Sequence, residues 1–196
     1  VIENELGLKI DKISHFVCGH SLGEFTALCS VGVLTLSETA KILRFRGEAM
    51  QRAVPRDEGA MAALISNNFD RLDDLLKEVT HLGICQIANE NSSDQLVISG
   101  KAEAVKKAVE ISSNFSIRRS ILLNVSAPFH CDMMIPARKK IENYLKDINF
   151  KLPLLPVICN FTALPETDPT KLKENIISQV NNKVKWKQSV NYLIKK

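Results

Sequence analysis

Nowhere among the 196 residues does an apolar run approach the ~20 residues that a bilayer-spanning helix needs, so no such helix is expected. The opening Val1-Ile2-Glu3-Asn4-Glu5 has neither an initiator Met nor the apolar core of a secretory signal. It reads as the tail of a helix, and the close, Asn191-Tyr192-Leu193-Ile194-Lys195-Lys196, stops inside a helical pattern. Both ends are therefore expected to be cut from something longer. The five cysteines, Cys18, Cys29, Cys85, Cys131 and Cys159, are odd in number and contain no C-x-x-C. They suit reduced thiols in the cytoplasm and give no zinc signature. The four histidines form no H-x-x-x-H pair, so no metal is expected. No internal repeat beyond the two halves of one inserted unit, and no low-complexity segment, interrupts the chain.

What is present is the composition of one soluble globular domain with room for a small insertion: 45% apolar and 24% charged residues. The net charge of +4 is unevenly spread, since Lys171–Lys196 holds seven lysines against Glu174 alone and carries +6. Such a face suits an acidic partner or simple solvation. Its lysines are not interleaved with aromatics, Trp186 being the only indole, which argues against nucleic acid.

Gly19-His20-Ser21-Leu22-Gly23-Glu24 is the most informative segment. It follows the apolar His15-Phe16-Val17-Cys18 and precedes a helix-like Phe25-Thr26-Ala27-Leu28-Cys29. Strand, sharp turn bearing a serine, then helix is the nucleophile elbow, with Gly19 expected to give the turn room and Gly23 to let helix and strand approach. Thr35-Leu36-Ser37-Glu38 is a capping box opening a helix to about Val54. From residue 60 to 123 the pattern is strand (Ala60–Ile65), helix (Phe69 to Val79), strand (Ile84–Ala88), a turn at Asn89–Asp94, strand (Gln95–Ser99), helix (Ala102 to Val109) and strand (Ile117–Leu123). This β-α-β-β-α-β order is the ferredoxin-like arrangement. A helix at about Cys131–Leu145, a strand at Val157–Asn160 between prolines, a helix near Leu172–Val180 and another from Trp186 complete the reading.

Ser21 needs a base to take its proton. His20 is its chain neighbour, with a side chain directed away on an elbow; His15 lies at the far end of the strand; His81 ends a helix, where a cation is structurally sufficient. His130 remains, on the stiff loop Ser126-Ala127-Pro128-Phe129-His130. A lone loop histidine serves structure as readily, but beside an elbow serine it is the candidate base. Between Ser21 and His130 no Asp or Glu stands at the end of a main-sheet strand, so a backbone carbonyl is the expected orienter of the imidazole.

The elbow, then Arg46-Gly47-x-x-Met50-Gln51, then Ser126-x-Pro128-x-His130, resemble the malonyl-CoA:acyl-carrier-protein transacylase family. Asn89-x-Asn91-Ser92, Gln95-x-Val97-Ile98-x-Gly100 and Val184-x-Trp186-x-x-Ser189-Val190 extend the resemblance over essentially the whole chain. It implies an α/β fold: a hydrolase-like parallel-sheet domain (residues 1–57 and 124–196) with an inserted ferredoxin-like subdomain (58–123). It also implies roles. Ser21 carries the malonyl ester and His130 is the base; the Leu22 N–H supplies half of the oxyanion hole. Arg46 holds the malonate carboxylate, where composition alone would allow a surface ion pair with Glu48 or Glu38. The carbonyl near Gln179 orients the histidine, and the ring of Phe129 favours malonyl over α-branched groups. The implied partners are malonyl-CoA and an acidic acyl carrier protein, with no permanently bound cofactor, no nucleic acid and no membrane, for a cytoplasmic monomer. A serine hydrolase, or a non-catalytic module that binds the carrier protein, are the alternatives.

Departures from the family pattern are visible. Its N-terminal G-Q-G-S-Q segment, whose glutamine gives the other oxyanion donor, is absent, as is its C-terminal G-P-G segment. Asn91-Ser92-Ser93-Asp94 stands where Asn-Ser-Pro-Gly is usual, and Lys183 replaces a common proline. One lost donor costs ~3 kcal/mol of transition-state stabilisation, so the 196 residues alone are expected to be nearly inactive.

Overall fold

A computed structural model describes residues 5–196; the helical reading of Val1–Asn4 lies outside the described residues. After a single helical turn, α1 (Ile10–Ile13), the chain runs through β1 (Val17–Cys18) into α2 (Leu22–Ser30) and α3 (Leu36–Gln51). The Thr35 hydroxyl accepts from the Glu38 N–H and the Glu38 carboxylate accepts from the Thr35 N–H, closing the capping box. α3 ends three residues before the expected Val54, because Arg52 already leaves helical geometry (φ −92°, ψ 0°) ahead of Pro55.

The middle of the chain forms β2 (Gly59–Ile65), α4 (Leu72–Glu78), β3 (Cys85–Glu90), β4 (Gln95–Lys101), α5 (Ala102–Ile111) and β5 (Arg119–Leu122). The strands make one antiparallel sheet in the order β3-β4-β2-β5, the ferredoxin-like arrangement. Leu64 and Ile98 on the sheet meet Leu75 and Val105 on α4 and α5, all four closed off from solvent. β3 runs past the expected turn: it bulges between Ile87 and Asn89 and continues to Glu90. The cause is a partner outside the sheet. Glu90 N–H donates to the Val184 carbonyl (2.9 Å) and Val184 N–H to the Ala88 carbonyl (2.8 Å).

The chain then returns through a short 3-10 turn at Asp132–Met134 to α6 (Ile135–Leu145), so the expected single helix from Cys131 is two elements. β6 (Val157–Ile158), β7 (Pro165–Glu166), α7 (Pro169–Gln179) and α8 (Trp186–Ile194) follow. β6 pairs in parallel with β1, while β7, absent from the sequence reading, pairs antiparallel with β6. A second core, holding Phe25, Leu28, Ile42, Ile141, Val157 and Leu172, packs α2, α3, α6 and α7 around this small sheet. The result is an α/β fold with two hydrophobic cores and a small third cluster of Met61, Ala88 and Val97, and Phe129 packs against both the second core and that small cluster. No described helix is long and apolar enough to cross a membrane.

Ile98 is fully enclosed at the centre of β4. Ile98→Ala is expected to lower stability by about 3 kcal/mol, a loss of contacts plus a cavity, read as a lower urea midpoint.

Candidate active site

The elbow is built by strain and close approach. Ser21 sits at φ 51°, ψ −100°, outside the regions a side chain normally allows, at the junction of β1 and α2. At Gly19 a Cβ would lie 2.0 Å from the Gly23 carbonyl oxygen, so only glycine lets the helix start so near the strand. A Cβ at Gly23 would meet nothing within 4 Å; the close approach expected of Gly23 falls instead on Gly19, with Gly23 contributing its backbone.

Four of the expected site residues converge here. Ser21 Oγ is 2.8 Å from His130 Nε2, and His130 Nδ1 is 2.8 Å from the Gln179 carbonyl oxygen. A carbonyl only accepts, so Nδ1 carries the ring proton and Nε2 is left free to take the serine's. Arg46 Nη2 donates to Ser21 Oγ (2.9 Å) and to Gln179 Oε1 (3.1 Å). The hydroxyl therefore accepts from the guanidinium and donates to the imidazole. Arg46 is buried, which overturns the surface ion-pair alternative. Glu48 instead meets Arg44 and Arg52, and Glu38 serves the capping box. His130, like Ser21, has a positive φ (61°), so both partners of the Ser21–His130 hydrogen bond sit on constrained backbone.

Leu22 and Phe129 take less direct places. Leu22 is the first residue of α2, where the helix cannot satisfy the N–H, and its side chain is exposed. Phe129 lines a cavity of about 440 Å³ together with Ser21, Arg46, His130, Met50 and Met61. Of the other histidines, His20 bonds Asn91 Oδ1 (3.0 Å) and packs on Trp186, and His81 bonds the Glu78 carbonyl (2.9 Å). Neither is near enough to Ser21 Oγ to form a hydrogen bond with it.

Burial controls the charges. It pushes His130 down to about 3, helped by the nearby Arg46 charge and opposed by the bond to Gln179, so the imidazole stays neutral at physiological pH. Burial also lowers Arg46 to about 10, which leaves it a cation. It pushes the Glu24 carboxyl up to about 7.

Two buried residues of the site escaped the sequence reading. Asn160, one turn beyond β6, accepts from the Ser21 N–H through Oδ1 (2.6 Å) and donates to the Gly19 carbonyl through Nδ2 (2.7 Å). Its side chain continues the β1–β6 pairing past the point where the backbones diverge. The available signal was an asparagine ending the strand beside the elbow strand. Glu24 accepts from Gln179 Nε2 (2.7 Å) and from the Asn160 N–H (3.1 Å). Its signal was an acid among Phe25, Ala27 and Leu28, which are all buried.

A family described as acyl transferase domain matches residues 13–194. The chain belongs to the acyl transferase domain family. It is 39% identical over 180 residues to the malonyl CoA-acyl carrier protein transacylase of Bacillus subtilis (strain 168), a match covering 91% of this chain and 57% of that protein. Among solved acyl transferases, the acyl-carrier-protein-S-malonyltransferase of Bartonella henselae superposes with a TM-score of 0.95 at 42% identity, over 100% of this chain and 62% of the other. A malonyl-transacylase solved with its type II PKS acyl-carrier protein gives a TM-score of 0.93 at 33% identity, over 99% and 62% of the two chains. The chain thus spans about three fifths of the length of these relatives.

Because the folded imidazole is held far below its ordinary value, it remains an acceptor as pH falls. The rate at which a serine-directed phosphonate labels Ser21 is expected to change less than about twofold from pH 7 to pH 5. An ordinary histidine near 6.5 would lose about 25-fold over that span.

Proposed function

We propose that this chain carries the catalytic centre of an enzyme that moves a malonyl group from malonyl-CoA to the phosphopantetheine thiol of an acyl carrier protein, in fatty acid biosynthesis. The observation that carries the reading is Arg46: a buried cation beside the nucleophile whose Nε has no partner among the described residues. A guanidinium with one edge engaged and another donor unspent is built for a carboxylate. A simple hydrolase has no use for it.

Ser21 Oγ attacks the thioester carbonyl carbon while its proton passes to His130 Nε2. The Leu22 N–H, at the start of α2, stabilises the oxyanion. Collapse expels coenzyme A, whose sulfur takes the proton from His130, and leaves the malonyl ester on Ser21. The incoming thiol then gives its proton to His130 and attacks the ester carbonyl; Ser21 leaves and recovers the proton. Arg46 fixes the acyl group in a pose suited to the thiol. Phe129, on the cavity wall, limits bulk at the α-carbon.

The similar malonyl-transacylase solved with its acyl-carrier protein supports that class of partner. The basic stretch from Lys171 supports an acidic one, with Lys183 excepted because it is bound to Glu90. The two cores support the division into residues 1–57 with 124–196 and residues 58–123. The five free cysteines fit a reducing cytoplasm.

Incubation of the protein carrying this chain with malonyl-CoA is expected to add one malonyl mass, lost in Ser21→Ala. Arg46→Ala is expected to reduce malonyl loading by about 100-fold relative to acetyl loading, the scale of two charge-assisted hydrogen bonds. Equal loading of both acyl groups by the unaltered protein would favour a general serine hydrolase.

A further inference from the structure

Gln179 has an amide whose two ends face opposite chemistry. Nε2 points at three acceptors: Glu24 Oε2 (2.7 Å), the Ser21 carbonyl (3.1 Å) and Asn160 Oδ1 (3.4 Å). Oε1 is thereby turned to Arg46 Nη2 (3.1 Å). Reversed, the amide would set NH₂ against a guanidinium, donor against donor. Each of the three acceptors also takes a second donor: Asn160 Oδ1 the Ser21 N–H, the Ser21 carbonyl the Glu24 N–H (3.2 Å) and Glu24 Oε2 the Asn160 N–H (3.1 Å). The shortest bond, and the only one to an acid, is that to Glu24.

Glu24 and Gln179 are both fully buried, and Glu24 leaves the first turn of the elbow helix itself. Among the described residues, the buried side-chain N and O atoms without a partner are Glu24 Oε1 and Arg46 Nε, the two ends of this line of contacts. An acid kept in such a place without bonding the histidine calls for a role other than that of a triad acid.

We propose that Glu24 is the positioning residue of the carboxylate clamp: by holding the Gln179 amide in one sense, it presents Arg46 to the acyl group on Ser21. The inference rests on the malonyl-transfer reading and deepens it. Glu24 touches no reacting atom. It acts through Gln179 on Arg46, so its removal disturbs recognition of the acyl carboxylate more than attack by Ser21.

The role is one of accepting a hydrogen bond, and it separates from charge. Glu24→Gln can keep an amide oxygen at the Oε2 position, toward the Gln179 amide and the Asn160 N–H, and place its own NH₂ at the Oε1 position. Glu24→Met has similar volume and no acceptor of that strength.

The test is acyl-ester formation on Ser21 from malonyl-CoA and from acetyl-CoA, measured separately in the protein carrying this chain. Glu24→Met is expected to lower the malonyl-to-acetyl ratio of kcat/KM by about tenfold or more, mainly through the malonyl KM. Glu24→Gln is expected to restore the ratio to within about threefold of the parent. If Glu24→Met does not fold, Glu24→Asp serves, since it keeps the charge but withdraws the acceptor by one methylene, and the same fall in ratio is expected. Gln179→Met is expected to fall similarly, with no further fall when combined with the Glu24 change. An unaltered ratio in Glu24→Met or Glu24→Asp overturns the inference and leaves the malonyl-transfer reading intact. A ratio lowered as far by Glu24→Gln as by Glu24→Met also overturns it, by showing that charge is what matters. Absence of any malonyl ester on the parent protein defeats the underlying reading, and this inference with it.

Discussion

The backbone of Ser21 is the constraint on which the site depends. A residue at φ 51°, ψ −100° persists only where its surroundings overdetermine it. Here Gly19 admits the helix backbone, α2 begins at the next residue, and Asn160 bonds both Gly19 and Ser21 on either side of the turn. Each of these comes from a different part of the chain, and together they aim Oγ at His130. The Gly23 and Glu24 amides at the head of α2 are taken by the His20 and Ser21 carbonyls, which leaves the Leu22 N–H for the oxyanion of the proposed acyl transfer.

The electrostatics follow from burial and from a backbone carbonyl, where a triad would have an acid, as the partner of His130 Nδ1 among the described residues. A carboxylate behind His130 would favour the imidazolium and raise its proton affinity; the Gln179 carbonyl fixes the tautomer with a far smaller effect. With Arg46 close by and the ring buried, the imidazole stays neutral and sheds a proton readily. That suits the proposed transfer, in which the serine must later leave as readily as it attacked. Arg46 cannot be idle in so dry a place, because a buried cation is costly unless bonded. Its bonds to Ser21 and Gln179 meet part of that cost and leave Nε without a partner among the described residues.

Elements with strong periodicity and capping were legible in the sequence: the Thr35 capping box, the βαββαβ order and the elbow all have local causes. Gln179 could be named through its carbonyl by resemblance, but its side-chain bonds depend on α7 packing against α2, which no local pattern encodes. Asn160 looked like the last residue of an apolar strand, and Glu24 like one more charge in a motif. Both owe their meaning to a strand pairing of only two residues, Val17 with Val157 and Cys18 with Ile158. Pairing across so long a sequence interval leaves little local trace. β7 was missed because it is only two residues long and opens on a proline, although its partner β6 is near in sequence; the end of β3 was misplaced because its partner, Val184, lies far along the chain.

That last partner has a consequence for how the protein is made. The outer edge of β3 is an open strand edge until the stretch around Val184 lies along it and takes up its free amide and carbonyl groups. Ribosomes deliver the chain from the amino end, so the four strands from Gly59 to Leu122 emerge well before Val184 does. During that interval the nascent sheet presents a ready template for pairing with neighbouring chains. The seal that arrives late is the stretch that also carries Lys183 to Glu90 and opens α8. Guarding the edge and joining the two cores are thus a single event, one that follows synthesis of the whole four-stranded sheet.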